Sequence, residues 1–126
     1  MTAKLSDMIG VTMADVSAAK DGDIMRFTAR DGRVWELYHS QDCCESVTIA
    51  DIVGNLQDLV GSPLRMADES VSEQGDPAPQ YPDSWTWTFY KFGTVKGYVD
   101  VRWLGESNGY YSESVDFRQV TEAPHD

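Results

Sequence analysis

Chemically reactive side chains are concentrated between residues 39 and 45, in the run His-Ser-Gln-Asp-Cys-Cys-Glu. Imidazole, thiolate and carboxylate groups are the common protein ligands of transition metals, and a cysteine near a histidine is also a candidate nucleophile with its base. The candidate site residues of this cluster are His39, Gln41, Asp42, Cys43, Cys44 and Glu45.

The run lacks a complete set of residues for either metal binding or nucleophilic catalysis. A closed zinc site needs cysteines separated by about two to four residues and a second ligand pair, whereas Cys43 and Cys44 are adjacent and are the only cysteines. The carboxylates of Asp42 and Glu45 disfavour the thiolate that a nucleophile requires. We therefore predict no catalytic residue, no metal and no cofactor, although a Cys–His enzyme stays open as an alternative.

The alternative is a purely structural role for the run, which makes specific predictions for its residues. Neighbouring side chains on an extended segment point in opposite directions, so we expect no disulfide between Cys43 and Cys44. One cysteine is expected to be buried as a small hydrophobe. Asp42 should cap the turn, and His39 should form hydrogen bonds beneath the loop.

A second candidate surface is the segment from Gly105 to Ser112, which is rich in glycine, serine and tyrosine. Tyrosine gives a binding loop a large contact area and a hydrogen bond at a small entropic cost. The candidate binding residues here are Glu106, Ser107, Asn108, Tyr110 and Tyr111. The alternative is a hairpin whose tyrosines only cover the rim of the core.

Composition and charge limit the classes of function. The chain has 126 residues, a formal net charge of −11, and 21 acidic against 10 basic residues. Broad binding to nucleic acids relies on lysine and arginine replacing phosphate counterions, so it is not expected, whereas a basic protein partner is electrostatically favoured. No apolar run is long enough for a membrane span or a signal peptide, which together with the few cysteines predicts a cytoplasmic protein.

The elements that position these residues are predicted to be mostly antiparallel strands of a single domain, residues 1–126. A first strand is expected within 8–16, and strands 24–29 and 34–39 form a hairpin that pairs Phe27 with Trp35 and Met25 with Leu37 if Gly32 is left-handed. Residues 47–52 form a strand. Asn55 is predicted to cap one short helix over 56–60, with Gly61 left-handed beyond it.

The second half of the chain has the stronger strand pattern. A strand is expected within 64–71, and residues 73–83, rich in proline and charge, are predicted to be a long surface loop. Trp85, Trp87 and Trp103 are assigned to the core rather than to a base-stacking platform, because their alternation matches that of the neighbouring valines. A loop at 107–109 with Gly109 left-handed would pair Val101 with Val115 and Val99 with Phe117.

The predicted fold is therefore mainly β, of the α+β type: an antiparallel sheet forming a sandwich or a partly open barrel, with one short helix. Residues 121–126 are predicted to be a flexible tail. The sequence does not decide between the two architectures, and it does not give the order of the strands or the oligomeric state.

Four pieces of the chain resemble a family of small uncharacterised proteins associated with bacteriophages and prophages. They are Tyr38-His-Ser-Gln-Asp-Cys-Cys-Glu-Ser-Val47, Leu56-Gln-Asp-Leu-Val-Gly-Ser-Pro-Leu64, Trp85-Thr-Trp-Thr-Phe-Tyr90 and Glu106-Ser-Asn-Gly-Tyr-Tyr-Ser-Glu113. The resemblance implies no activity and no catalytic residue. It does imply a phage setting, in which small acidic proteins resemble inhibitors of host defence.

From charge, composition and this resemblance we predict a non-catalytic acidic binding protein that engages a basic host protein, as an inhibitor of host defence, in the host cytoplasm. The alternative is a protein that sequesters a small nucleotide signal, with His39, Gln41, Arg65 and Arg102 contacting the anion. A third hypothesis is a purely structural phage role.

Overall fold

The chain forms two four-stranded antiparallel sheets in a computed structural model, which describes residues 3–79 and 83–120. The strands are β1 (Met13–Ser17), β2 (Ile24–Ala29), β3 (Val34–Tyr38), β4 (Ser46–Val53), β5 (Met66–Glu73), β6 (Ser84–Thr94), β7 (Gly97–Ser107) and β8 (Asp116–Val120). Two short 3-10 turns, Leu5–Met8 and Leu56–Leu59, complete the described elements. The mainly β prediction is confirmed, and of the two predicted architectures, sandwich and partly open barrel, the described strands form the sandwich of two separate sheets.

The two sheets pack face to face around one hydrophobic core. Their strand orders are β1-β2-β3-β8 and β4-β7-β6-β5. Phe27 of the first sheet meets Phe92 of the second edge to face, with ring centroids 5.0 Å apart, and Trp35 and Trp103 are fully buried between the layers. Burying such large aromatic side chains supplies much of the hydrophobic driving force of a small domain.

The β2–β3 hairpin has the predicted register. Met25 pairs with Leu37 and Phe27 with Trp35, and Gly32 has a φ of +97° in the connecting turn. All four paired side chains are buried, so the register gathers the apolar residues on the core face as the sequence pattern requires.

The predicted helix at 56–60 is wrong in type but right in its capping. Residues Leu56–Leu59 form a single 3-10 turn, and the Asn55 side chain accepts a hydrogen bond from the Gln57 N–H at 2.9 Å. Gly61 is left-handed, with a φ of +87°. A segment that ends after four residues cannot form the repeated i to i−4 bonds of an α-helix.

The first predicted strand is also shifted along the chain. Residues Leu5–Met8 form a 3-10 turn that buries Met8, and β1 begins only at Met13. Gly10, with a φ of +85°, separates these two elements. A left-handed residue interrupts an extended run, which explains why the apolar pattern of 8–16 is not one strand.

The pairing predicted for the last strand is wrong. Phe117 pairs with Leu37 of β3 rather than with Val99, and Val115 precedes β8 instead of facing Val101. The two neighbours of β7 are β6 and β4, so the chain after β7 crosses to the other sheet. Gly109 is left-handed as predicted, with a φ of +97°, but it lies within this crossing.

Of the three tryptophans assigned to the core, Trp87 and Trp103 are buried as predicted, whereas Trp85 is only half-buried. Trp103 belongs to the core, whereas strand alternation places Trp85 and Trp87 on the outer face of β6. The loop after β5 covers them: the indole N–H of Trp85 donates to the Gly75 carbonyl oxygen at 2.7 Å, and that of Trp87 to the Pro77 carbonyl oxygen at 2.9 Å.

Parts of two predictions lie outside the described residues. The predicted loop 73–83 connects β5 to β6, and the structure describes it except for residues 80–82. The predicted tail 121–126 falls entirely outside. Among the residues that are described, no helix has the length and apolar character needed to cross a membrane.

Candidate functional site at the acidic end

The fold brings three connections together at one end of the sandwich. The chain changes sheets twice, from β3 to β4 through residues 39–45 and from β7 to β8 through residues 108–115. Because β3 pairs antiparallel with β8 and β4 with β7, the two crossings leave and enter the sheets side by side. Ser84 pairs with Ser107, so the β5–β6 connection reaches the same end.

This end carries many carboxylates and no lysine or arginine in its three connections. With their flanking strand residues, these connections are 39–46, 73–84 and 106–116. Their acidic residues are Asp42, Glu45, Glu73, Asp76, Asp83, Glu106, Glu113 and Asp116. The β1–β2 turn at the same end adds Lys20, Asp21 and Asp23. We call this part of the molecule the acidic end.

Basic residues gather at the opposite end. Arg30 and Arg33 lie in the β2–β3 turn, where Arg33 pairs with Asp31 at 2.8 Å. Arg65 precedes β5, and Lys96 lies in the β6–β7 turn. The charge of the molecule is therefore polarised along the strand direction. A field of this kind steers a charged partner toward one end and orients it on approach.

Glu45 is the structural centre of the 39–45 loop. Its side chain is fully buried, and one carboxylate oxygen accepts hydrogen bonds from the His39 Nε2 at 2.7 Å and the Asp42 N–H at 2.9 Å. The other accepts one from the Cys43 N–H at 2.9 Å. Glu45, rather than the predicted Asp42, therefore caps this turn.

The environment of Glu45 favours its charged form. The hydrogen bond from His39 lowers the pKa of Glu45, burial raises it, and the two backbone N–H groups lower it again, giving a pKa of about 2. A buried carboxylate held by three donors fixes the course of the loop around it.

His39 links the two crossings. Its side chain is almost completely buried, and its Nδ1 lies 2.8 Å from the Ser114 carbonyl oxygen while its Nε2 faces Glu45. Both partners are acceptors, so both hydrogen bonds form together when the ring carries a proton on each nitrogen. The Ser40 N–H also donates to Asp116, at 3.0 Å, which joins the crossings at a second point. His39 thus lies beneath the loop, as predicted.

The two cysteines are joined, which corrects the expectation that they would not bond. Their sulfurs are 2.03 Å apart, and both residues are exposed rather than one being buried. The expectation assumed an extended segment, whereas the loop turns tightly around Glu45 and brings the neighbouring side chains together. Both His39 nitrogens have oxygen partners, the Ser114 carbonyl oxygen and the Glu45 carboxylate.

A cleft of about 310 Å³ lies beside the 108–115 crossing. Its walls come from the ends of β5 and β6 on one side and from the crossing on the other. The lining residues are Val71, Glu73, Gln74, Ser84, Thr86, Gly109, Tyr111, Ser112, Glu113 and Ser114. Among the described residues, this lining contains hydroxyl groups, a tyrosine and two carboxylates, but no cation.

Glu113 anchors the crossing against the sheet. Its carboxylate accepts a hydrogen bond from the Thr86 hydroxyl at 2.8 Å and another from the Ser107 hydroxyl. The backbone passes so close to β7 that a Cβ at Gly105 would lie 2.8 Å from the Glu113 Cβ. Only glycine allows this approach, so Gly105 determines where the crossing lies.

The candidate binding residues of the second surface, Gly105 to Ser112, are divided between the cleft and its surroundings. Tyr111 lines the cleft, and the side chain of Tyr110 is 88% exposed beyond it. Ser107 and Asn108 hold the turn, through hydrogen bonds with the Gly109 and Tyr110 N–H groups respectively. Strand alternation places Glu106 on the outer face of β7 opposite Trp85, away from the cleft.

In the first cluster, His39 and Glu45 form the buried support of the acidic end, whereas Gln41, Asp42, Cys43 and Cys44 form its exposed surface. The Gln41 side chain donates to the Glu45 carbonyl oxygen at 2.6 Å. Glu73 and Glu113 are the residues that sequence reasoning missed. The alternation of residues 113–117 resembles an ordinary hairpin strand, so it gave no signal of a crossing.

The four residues assigned to anion capture do not converge. Gln41 and His39 belong to the acidic end, whereas Arg65 precedes β5 at the opposite end. Arg102 lies on the outer face of β7, where its guanidinium pairs with Asp51 at 3.2 Å and covers the Trp87 ring at 5.4 Å. Within the described ranges, no three His, Cys, Asp or Glu side chains are grouped as a metal site would require.

Comparison with known families adds a further observation. Residues 6–117 match the model of a domain of unknown function, DUF7448. The chain belongs to the DUF7448 family. The DUF7448 match includes both crossings, the cleft and strands β1 to β7, so the acidic end lies within the family domain. No curated protein and no solved structure matches the chain.

Proposed function

We propose that this DUF7448 protein is a non-catalytic binding protein whose acidic end captures a basic surface of another protein. The observation that carries the proposal is the cleft lined by Glu73, Tyr111 and Glu113 without a cation. A lysine or arginine side chain is complementary to such a lining, because carboxylates pair with its charge and the tyrosine ring attracts it through its face.

The surroundings of the cleft support the same partner chemistry. Tyr110 projects from the crossing, and exposed tyrosines rimmed by polar groups are typical of interfaces. The crossings are braced by His39, Glu45 and Glu113, so the acidic end is preorganised and loses little conformational entropy on binding.

In the phage setting that the sequence resemblance implies, the partner is a host defence protein with a nucleic-acid-binding surface, which the acidic end blocks.

Affinity capture from a bacterial host lysate tests this function. The immobilised protein is compared with a Glu73→Gln/Tyr111→Ser variant, and the matched control is Asp15→Asn/Tyr98→Ser. The control also removes one carboxylate and one tyrosine and changes the net charge by the same amount. However, Asp15 lies on the edge strand β1, and Tyr98 lies at the opposite end of β7.

We expect the wild type and the control to retain a basic protein that the cleft variant loses. Removing an interface tyrosine that fills a pocket typically costs about 2 kcal/mol, or roughly 30-fold in affinity. Capture should also fall between about 0.1 M and 1 M salt, because the Debye length shrinks from about 10 Å to 3 Å. Equal capture by both variants would contradict the proposed function.

A further inference from the structure

The edge strand β5 offers unpaired backbone groups next to the cleft. Among the described residues, its only strand neighbour is β6. The Gln74 N–H donates to the Trp85 carbonyl oxygen at 2.8 Å. Because hydrogen-bonded positions alternate in an antiparallel pair, even-numbered residues of β5 direct their backbone groups to β6, and the odd-numbered ones direct theirs outward. The outward residues are Ala67, Glu69, Val71 and Glu73.

The other described edges are more occupied or shorter. Ile49 on the edge of β4 exchanges backbone hydrogen bonds with Asp21 and Gly22, and the Met13 carbonyl oxygen of β1 accepts one from the Gly61 N–H. The remaining edge strand, β8, has five residues, whereas β5 has eight. In the described parts of the chain, no backbone or side-chain group bonds to the outward groups of β5.

The charge of β5 selects what could pair with it. Asp68, Glu69 and Glu73 lie on this strand without a basic residue. An added β5 from a second copy would place carboxylates against carboxylates, which is destabilising, whereas a basic strand would place opposite charges together. Acidic residues on an open edge thus disfavour self-association and leave a basic strand as the complementary occupant.

We infer that the basic partner docks as an extended segment that adds an antiparallel strand to the open edge of β5. This inference rests on the proposed function and specifies how the partner is held. Main-chain hydrogen bonds to an exposed edge provide affinity in this mode, and side chains at alternate positions provide specificity.

The side chains of β5 specify a motif for that segment. Glu69, Val71 and Glu73 lie on the same face of the strand, and Val71 is 56% exposed. Val71 and Glu73 also line the cleft, while one Glu69 oxygen accepts the Tyr90 hydroxyl at 2.6 Å. In the added strand, the residues that pair with Glu69, Val71 and Glu73 should therefore follow the pattern basic–x–apolar–x–basic. The residues at x point to the other face of the sheet.

A peptide built on Lys-Thr-Val-Thr-Lys tests strand addition by isothermal titration and by amide hydrogen exchange. Two variants at one position separate backbone pairing from side-chain contact. Val71→Pro removes an outward N–H without touching the bonds to β6, and proline is tolerated on such an edge. Val71→Thr keeps the N–H and a β-branched side chain of similar size.

We expect the wild type and Val71→Thr to bind the peptide within about twofold of each other, and Val71→Pro to bind at least tenfold more weakly. Peptide binding should slow amide exchange at Ala67, Glu69, Val71 and Glu73. A peptide N-methylated at the amides that face β5 should lose binding by a similar factor. This last comparison needs no protein variant, so it decides the question even if Val71→Pro does not fold.

Three outcomes would overturn the inference. Equal binding of the Val71→Pro and Val71→Thr variants would exclude strand addition. If only Glu73→Gln/Tyr111→Ser then lost binding, the proposed function would still hold without strand addition. Failure of the wild type to bind the peptide while it still captures a basic protein would exclude strand addition in the same way. Concentration-dependent dimerisation abolished by Val71→Pro would assign the edge to a second copy.

Discussion

Replacing Gly105 by alanine tests how the 108–115 crossing is held against β7. The new Cβ would lie 2.8 Å from the Glu113 Cβ and 2.9 Å from its carbonyl carbon, whereas carbon atoms pack best at about 3.5–4.0 Å. The crossing must therefore move outward by about 0.7 Å or more. That movement weakens the hydrogen bond between Thr86 and Glu113 and widens the cleft.

The expected loss of stability follows from these contacts. Overpacking against backbone costs about 1–3 kcal/mol, and weakening a hydrogen bond adds about 1 kcal/mol. Replacing a strand glycine returns about 0.5–1 kcal/mol of backbone entropy. The net loss for Gly105→Ala is about 2 kcal/mol, which lowers the melting temperature by roughly 8 °C for a domain of this size.

Urea unfolding and amide exchange check this prediction, with Gly109→Ala as the matched control. Gly109 is in the same crossing and has a φ of +97°, but a Cβ there would meet nothing within 4 Å. Gly109→Ala should therefore cost only the left-handed backbone term, about 1–2 kcal/mol, and should leave the amide exchange of residues 112–114 unchanged. Gly105→Ala should also accelerate amide exchange over residues 112–114. Equal stability of the two variants, with unchanged exchange, would refute the close packing of the crossing on β7.

Three further predictions concern the buried Glu45, the loop after β5 and the capped 3-10 turn. Glu45 has a pKa below its usual value, so the stability that its ionised form contributes is present above about pH 4.5 and is lost as the pH falls toward about 2. Across this pH range, the urea midpoint of Glu45→Gln should fall less steeply than that of the wild type. Parallel pH profiles of the two proteins would disprove the buried carboxylate. Trp87→Phe removes the hydrogen bond to Pro77, so we expect a loss of about 1 kcal/mol and faster proteolysis of the 74–79 loop, and an unchanged digestion rate would count against this anchor. Asn55→Ala should cost about 1 kcal/mol by urea unfolding through loss of the cap, whereas an effect of under about 0.3 kcal/mol would remove that role.

Local elements of the fold could be predicted because their determinants are local. The β2–β3 register follows from a short turn and from apolar residues on one face, and both are visible in the residues between Met25 and Leu37. The same holds for the Asn55 cap and for the left-handed glycines. Each of these features is determined by residues that are close together in the sequence.

The crossing into β8 could not be predicted from alternation. A period of two shows which side chains share a face, but it does not show which sheet the strand joins. Val115 and Phe117 fit a hairpin with β7 as well as they fit the observed pairing of Phe117 with Leu37. The two clusters of candidate residues meet because of this crossing, so their proximity was hidden as well.

The tryptophans of β6 illustrate a different limit. The apolar side chains of this strand change face along its length: Trp85, Trp87 and Phe89 point outward, whereas Tyr90 and Phe92 point into the core. The loop after β5 covers Trp85 and Trp87, whose indole N–H groups bond to it. A long loop that packs on its own sheet has no periodic signal in the sequence.

We propose that the acidic end, including the cleft, is the binding surface for a cationic partner. Titration of the isotope-labelled protein with the Lys-Thr-Val-Thr-Lys peptide, followed by backbone amide chemical shifts, tests it most directly. We predict shifts concentrated in residues 69–74, 84–86 and 109–114, which form the acidic end of the β5 edge and the cleft. Shifts spread evenly over the surface, or centred on the opposite end near Arg33 and Lys96, would contradict it.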